Sequence, residues 1–375
     1  MLRQKLSAAD TGSFFEKIRS IDYLLIIIIL ILGIISSFAM YSTDGGEFLY
    51  HTKSHILRFG IFFVLFLVLS FVQTKVWHRI GYIFYFVILF MLFWALYFGV
   101  TASGSQRWIS LYVFNLQPSE LMKIAIIISF AKFYHRTKSM EVNRIKNVVQ
   151  PLVTLTIPIF LVIAQPDLGT AILIAGTGIS VMWLSGLKLK YFVYSFLILM
   201  VTAPFAISLL KPYQKLRVLT FFNPDRDPLG AGYQIIQSKI AVGSGGLAGK
   251  GFLKGTQSYL EFLPEKHTDF IFTLFSEEFG FVGSIFLLIL YIILIYRIIL
   301  IGFKSRNYFG KLYCFGFASA IFIYVMVNMS MVLGILPIVG SPLPIMSYGG
   351  SSMLATMMGL SIVMGCKIYA KELIA

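Results

Sequence analysis

The sequence predicts an all-α polytopic membrane protein with about ten transmembrane helices and one large extracytoplasmic loop. Three observations carry that fold class. Hydrophobic residues fill 58% of the 375 positions and charged residues only 13%, where soluble domains carry roughly 25% charged residues; mean hydropathy is +0.84. The apolar residues gather in ten runs, each near the roughly 20 residues that a helix needs to cross about 30 Å of hydrocarbon. The basic residues gather in short segments between those runs. The net charge of +15 therefore reads as membrane orientation, and nucleic acid is not an expected partner.

The runs lie near 21–41, 55–72, 77–99, 118–135, 149–164, 168–186, 190–210, 270–298, 311–334 and 348–368. No polar stretch is long enough for a separate domain, so 1–375 reads as a single integral-membrane domain. Met1 to Ser20 is basic and polar and leads into a long apolar run, the pattern of a signal anchor rather than a cleaved leader. Pro158 should kink the fifth run. With the N-terminus inside, most of the 31 lysines and arginines fall in cytoplasmic segments, among them Arg3, Lys17, Arg79, Arg136, Arg144, Lys188, Lys304, Arg306 and Lys371. Both termini are then expected in the cytoplasm. Cys314 and Cys366 fall near that reducing side, and no disulfide is expected.

The acids go the other way. Asp44, Glu47, Glu120, Asp167, Asp225, Asp227, Glu261, Glu265 and Asp269 all fall on or near the outer face, which places chemistry or binding there. One outer loop dominates, 211–269. It carries Asn223-Pro224-Asp225-Arg226-Asp227-Pro228, an amphipathic stretch from Tyr233 to Val242, and glycine-rich turns. The expectation is a loop that folds back over the membrane surface as a lid.

Two patterns mislead. The glycine run from Gly243 to Gln257 looks like a phosphate loop, but Ser244 and Gly251 stand where a Walker A motif needs Gly and Ser/Thr. Flexible backbone approaching a ligand or a neighbouring helix fits it better. The five histidines, His51, His55, His78, His135 and His267, scatter over both sides without metal-ligand spacing. No protein metal site is expected.

The polar clusters that remain can carry chemistry. Asp269 stands where the polar run Pro264-Glu265-Lys266-His267-Thr268 meets an apolar helix, and an acid there is costly, roughly 2.5–3.5 kcal/mol at a bilayer centre. Such residues usually face a cavity, although helix capping is the plainer role. With Thr273, Ser276 and Glu277, Asp269 makes a stripe on one helix face that is expected to line that cavity. In Gln117-Pro-Ser-Glu-Leu-Met-Lys123, Ser119 suits an N-cap, and Glu120 and Lys123 share a face at i, i+3. They either neutralise each other or bind phosphate. Arg107, beside Trp108, is either an interfacial anchor or a phosphate clamp. In Gln165-Pro-Asp167-Leu-Gly-Thr, Asp167 should cap the sixth span, with a site role also open. The turn from Gly340 to Ser352 reads as architecture near the cavity mouth.

Taken together, GSQRWI, QPSELMKIA, QPDLGTA, FFNPDRDPLGAGYQIIQSKIAVGSGGLAGKG, GTQSYLEFLPEKHTDFIF, FSEEFGFVG and GSPLPIMSYGGSS resemble the signature segments of the shape, elongation, division and sporulation (SEDS) family, over about Gly104 to Ser352. GTQSYLEFLPEKHTDFIF is more similar to the elongation (RodA-type) branch than to the division branch. The resemblance implies a peptidoglycan glycosyltransferase of the bacterial cytoplasmic membrane that polymerises lipid II, with undecaprenyl-diphosphate-linked glycan as donor. It implies Asp269 of the HTDF motif as the essential carboxylate and the base of an inverting transfer. The expected substrate-binding set is Arg107, Glu120, Lys123, Gln165, Asp167, His267 and Glu277. It also implies a class B penicillin-binding protein (a transpeptidase) and an elongation complex as partners. No cofactor is firmly implied, with room left for magnesium or manganese on the substrate phosphates. A lipid II flippase or a division-type polymerase are the rival readings.

Overall fold

A computed structural model describes residues 14–102, 105–110, 115–209, 220, 231–256 and 265–374. The Pro-bracketed acids Asp225 and Asp227, and Glu261, lie outside the described residues, as does much of the 211–269 loop.

The chain is built from helices: α1 (Phe14–Arg19), α2 (Tyr23–Thr43), α3 (Tyr50–Ser70), α4 (Thr74–Phe98), α5 (Pro118–Arg136), α6 (Ile145–Ala164), α7 (Leu168–Leu184), α8 (Leu189–Leu209), α9 (Ala231–Ser244), α10 (Ile271–Lys304), α11 (Tyr308–Val332) and α12 (Gly350–Ile368). All except α1 and α9 fall on the ten apolar runs. Among the described residues, seven helices, α2, α3, α4, α6, α10, α11 and α12, are long and apolar enough to cross a membrane.

Burial explains why α5 is not among the seven. Helix α5 packs against α4, α6, α7, α11 and α12, and its side chains from Pro118 to Lys132 are buried in protein. A helix that meets protein on every side can carry Glu120, Lys123 and Lys132, because lipid never touches them. The rim behaves oppositely: Phe86, Phe90 and Trp94 of α4 are exposed, as an outward face in hydrocarbon requires.

Several helix starts follow from local chemistry. Asp22 caps α2, accepting from Leu25 N at 3.1 Å, and pairs with Arg297 of α10 at 2.5 Å. Asp167 caps α7 through Thr170 N at 3.1 Å, as its sequence context predicts. Ser119 does not cap α5. Gln117 occupies the N-cap and Pro118 the first turn, where a missing N–H costs nothing. Helix α6 runs on through both Pro151 and Pro158, so the expected kink does not end it.

The described part of the large loop packs onto the helix bundle. Helix α9 docks sideways onto α10 and α11: its buried Ser238 pairs with Thr273 at 2.9 Å and donates to the Val332 carbonyl at 2.8 Å. The glycine run that follows enters a break in α10, where Gly280 leaves helical geometry at φ 65° and ψ −159°. Lys250 N and Gly251 N donate to the carbonyls of Glu277 and Glu278, each at 3.0 Å, while Phe281 N and Val282 N donate to Gly246 O at 2.9 Å and Leu247 O at 3.1 Å. A broken helix at membrane depth is tolerated only when its freed backbone groups find such partners.

Between α4 and α5 lies a small antiparallel sheet, β1 (Val100–Ala102), β2 (Ser105–Ser110) and β3 (Asn115–Leu116), in the order β1-β2-β3. Pairing of Ile109 with Leu116 and Ser110 with Asn115 fixes where β2 presents Arg107.

Candidate functional site

A cavity of about 850 Å³ opens at the end of the bundle where α5, α7 and α12 begin. Asp269, Arg107, Glu120 and Asp167 all line it, although they come from four separate segments of the chain. The turn from Gly340 to Ser352 supplies much of one wall, including Pro342, Tyr348 and Gly350.

The segment carrying Asp269 is held by its backbone. Tyr348 N donates to His267 O at 2.8 Å, Ser347 Oγ to Thr268 O at 2.6 Å, and Asn328 Nδ2 to Asp269 O at 2.9 Å. A Cβ built on Gly340, which sits at φ +72°, would stand 3.4 Å from Asp269 Oδ2. The carboxylate therefore lies against the Gly340 turn, at the mouth of α10.

Asp167 is the hub of the opposite wall. Its Oδ2 takes Arg107 NH1 at 2.7 Å and Gln117 Nε2 at 3.1 Å, while its Oδ1 caps α7. Arg107 also lies over the Trp108 ring at 5.8 Å. Arg107 is thus oriented by a buried carboxylate rather than loose at the lipid interface. Deeper, Lys123 Nζ pairs with Glu120 at 2.8 Å and sits over Tyr324 at 3.9 Å. Lys123 lines a separate, smaller pocket with Ile124, Ile127, Phe317 and Ile321, which Glu120 and Ser352 divide from the cavity.

Four expected site residues do not line the cavity: Lys123, which lines its own small pocket behind Glu120, and three that go elsewhere. Gln165 is buried and donates to the Leu92 carbonyl at 2.8 Å, which ties α7's entry to α4. Glu277 meets Lys250 at 2.6 Å and Thr256 at 3.1 Å. The stripe Thr273–Ser276–Glu277 therefore does not line the cavity: it faces α9 and the glycine run, whose polar groups satisfy it. His267 turns away to stack on His51, ring centroids 4.0 Å apart. Burial, with the nearby charges of His51 and Lys266, pushes its imidazole down to about 4. The histidines are thus less scattered than their sequence positions suggest.

Two lining residues escaped the sequence reading. Arg58 reaches the cavity and lies over the Tyr348 ring at 4.9 Å; an arginine inside an apolar helix was the available signal. Ser351 accepts from Gln117 N at 2.8 Å and donates to Asn115 O at 3.0 Å, which joins α12 to the start of α5. Nothing in its local sequence marks that role.

The cavity thus brings together the Asp269 carboxylate and an anchored cation, Arg107, the arrangement needed to bind an anion and move a proton beside it. The sequence model of FTSW_RODA_SPOVE, the cell cycle proteins, matches residues 18–372. The chain belongs to this family. It is 40% identical over 363 residues to the peptidoglycan glycosyltransferase MrdB of Escherichia coli K12, covering 96% of this chain and 97% of MrdB. It superposes on a chain of a peptidoglycan synthase complex that coordinates polymerization and crosslinking, with TM-score 0.79, 29% identity, and coverage of 92% of this chain and 97% of that one. The Thermus thermophilus rod shape determining protein RodA shares the fold at TM-score 0.72 and 24% identity, over 94% of this chain and 98% of RodA. The alignments with these relatives cover both chains nearly end to end.

Proposed function

We infer that this chain is a multi-pass membrane peptidoglycan glycosyltransferase of the elongation type, polymerising lipid II into glycan strands. The observation that carries the reading is the single cavity in which Asp269 faces Arg107, Asp167 and Glu120. All ten long helices cross the bilayer in this reading, with both termini in the cytoplasm and the cavity at the outer surface.

Asp269 takes the proton from the GlcNAc 4-hydroxyl of the acceptor as that oxygen attacks C1 of the donor MurNAc. The C1–O bond to undecaprenyl diphosphate breaks, and C1 inverts from α to β. A carboxylate at the chamber mouth, fixed by three backbone hydrogen bonds around it, suits general-base work. Arg107, held by Asp167, opposes the charge that grows on the leaving diphosphate, and Lys123 adds its positive charge from behind Glu120, which lines the cavity. Among the described residues lining the cavity, Asp167 and Glu120 are already engaged by cations. Magnesium or manganese would be held by Asp269 together with phosphate oxygens, supplying further charge neutralisation.

A class B penicillin-binding protein is the partner this reading expects, and the likeness to the synthase complex supports it. The rival, a flippase, needs polar groups along a path between both membrane faces. The apolar side chains around Lys123 (Ile124, Ile127, Phe317 and Ile321) favour the enzyme. Purified chain given lipid II, alone and with class B transpeptidases, should yield glycan polymer on gels. Transbilayer movement of lipid II with no polymer under any pairing would overturn the assignment.

A further inference from the structure

Beside the cavity, outside the machinery above, Asp44, His51 and His267 converge from segments far apart in the chain. Asp44 follows the last residue of α2, His51 lies in the first turn of α3, and His267 stands two residues before Asp269. One ligand-capable atom from each lies within 4.8 Å of the other two. His51 Nδ1 stands 3.1 Å from Asp44 Oδ1, close to the separation of two ligands that share one ion at roughly 2.0–2.2 Å each.

The surroundings look prepared for an ion. Asp44 Oδ2 accepts from Thr52 N at 2.9 Å and from Thr52 Oγ1 at 2.7 Å. Those bonds orient the carboxylate and leave Oδ1 directed at the histidines, the outer-sphere support that ligating carboxylates usually have. The Asp44 side chain is only 2% exposed. His267 Nδ1 is buried and has no hydrogen-bond partner among the described residues. A buried ring nitrogen left without a partner calls for an explanation, and a ligand supplies one. Two imidazoles and a carboxylate form the donor set of a borderline divalent ion, with water free to complete the shell.

We propose that Asp44, His51 and His267 form a binding site for a divalent transition-metal ion of the zinc class. Asp44 Oδ1 and one nitrogen of each imidazole donate to the ion, and a neutral His51 that binds through Nδ1 carries its hydrogen on Nε2. The ion links the α2–α3 turn to the strand of chain that positions Asp269. Its role is to position that segment, not to touch the reacting atoms. The site is distinct from any ion carried by substrate phosphates, and it does not depend on the proposed reaction.

The test uses full-length chain purified in detergent without a polyhistidine tag, stripped with chelator and dialysed against buffered zinc. Metal analysis should find one zinc bound per chain at micromolar free ion, and zinc should raise the thermal unfolding temperature. Asp44→Asn, His51→Gln and His267→Gln should each weaken binding by roughly 10–100-fold or more. Asp269→Asn, which removes no ligand, should keep it. X-ray absorption of the zinc-loaded wild type should show imidazole scattering from two histidines, a readout that stands even where a variant fails to fold. Failure of the wild type to retain zinc, binding indifferent to all three substitutions, or a zinc shell without imidazole would each overturn the site.

Discussion

Lys123 is where the structural and chemical readings of one side chain separate most cleanly. It is buried with Glu120 at 2.8 Å, so Lys123→Ala strands a buried acid, an error worth roughly 3–5 kcal/mol. That loss alone would lower activity without proving a phosphate role. Lys123→Arg keeps a cation and should retain more polymerisation than Lys123→Ala, measured as initial rate at matched folded protein. Lys123→Leu with Glu120→Leu removes both charges and should recover much of the stability, because well-packed apolar pairs often replace buried ion pairs without cost. Polymerisation should stay lost. Its return in the double variant would mean that the lysine only neutralises Glu120. At this scale the i, i+3 pair and the Asp167 cap were legible, since both are local patterns. The bond from Arg107 to Asp167 was not: the partners are 60 residues apart, and only the fold brings the β2 strand over the α7 cap.

The broken helix α10 decides whether the outer half of the molecule holds together. Gly249 stands at φ +80°, and a Cβ there would lie 2.1 Å from the Glu278 carbonyl oxygen. Backbone on both sides leaves no room to give way, so Gly249→Ala should push the glycine run out of the break and expose the freed groups of α10. We expect a lower unfolding temperature and weaker polymerisation together. Lys250→Ala should act in the same direction through Glu277. Its cost should fall below the roughly 3–5 kcal/mol of a fully buried pair, because the lysine side chain is 27% exposed and partly screened. Unchanged melting curves for both variants would mean that the docked run contributes nothing to stability. The sequence did show glycines suited to close backbone approach. It did not show the break itself, because one glycine within an apolar run resembles any tolerated helical glycine. That gap is why the polar stripe was assigned to the cavity: its partners arrive on the glycine run and α9, which hydropathy alone cannot place.

Across the whole molecule, hydropathy located the long helices because lipid imposes one rule on every exposed face. It was least informative at α5, whose charges are shielded by neighbouring helices rather than excluded. The Asp44–His51–His267 cluster stayed hidden for a related reason, since its residues meet only after α2, α3 and the HTDF segment pack together. Orientation is testable with the two buried cysteines Cys314 and Cys366 as a quiet background. Glu47→Cys, in the exposed α2–α3 turn, should react with an impermeant thiol reagent on intact cells. Met140→Cys, at a position 96% exposed beyond the other end of α5, should react only after lysis. The opposite pattern would invert the orientation and put the cavity in the cytoplasm.

The central claim is that the carboxylate at the cavity mouth is the base for glycan polymerisation. Asp269→Asn tests it most directly, because the amide keeps the size and the backbone bonds from Asn328, Ser347 and Tyr348 while losing the ability to accept the proton. Purified variant, supplied with lipid II and the transpeptidase partner, should lose roughly 10²–10⁴-fold in polymerisation rate. Its unfolding temperature and lipid II binding should stay near those of the wild type. Robust polymer from correctly folded Asp269→Asn protein would contradict the account.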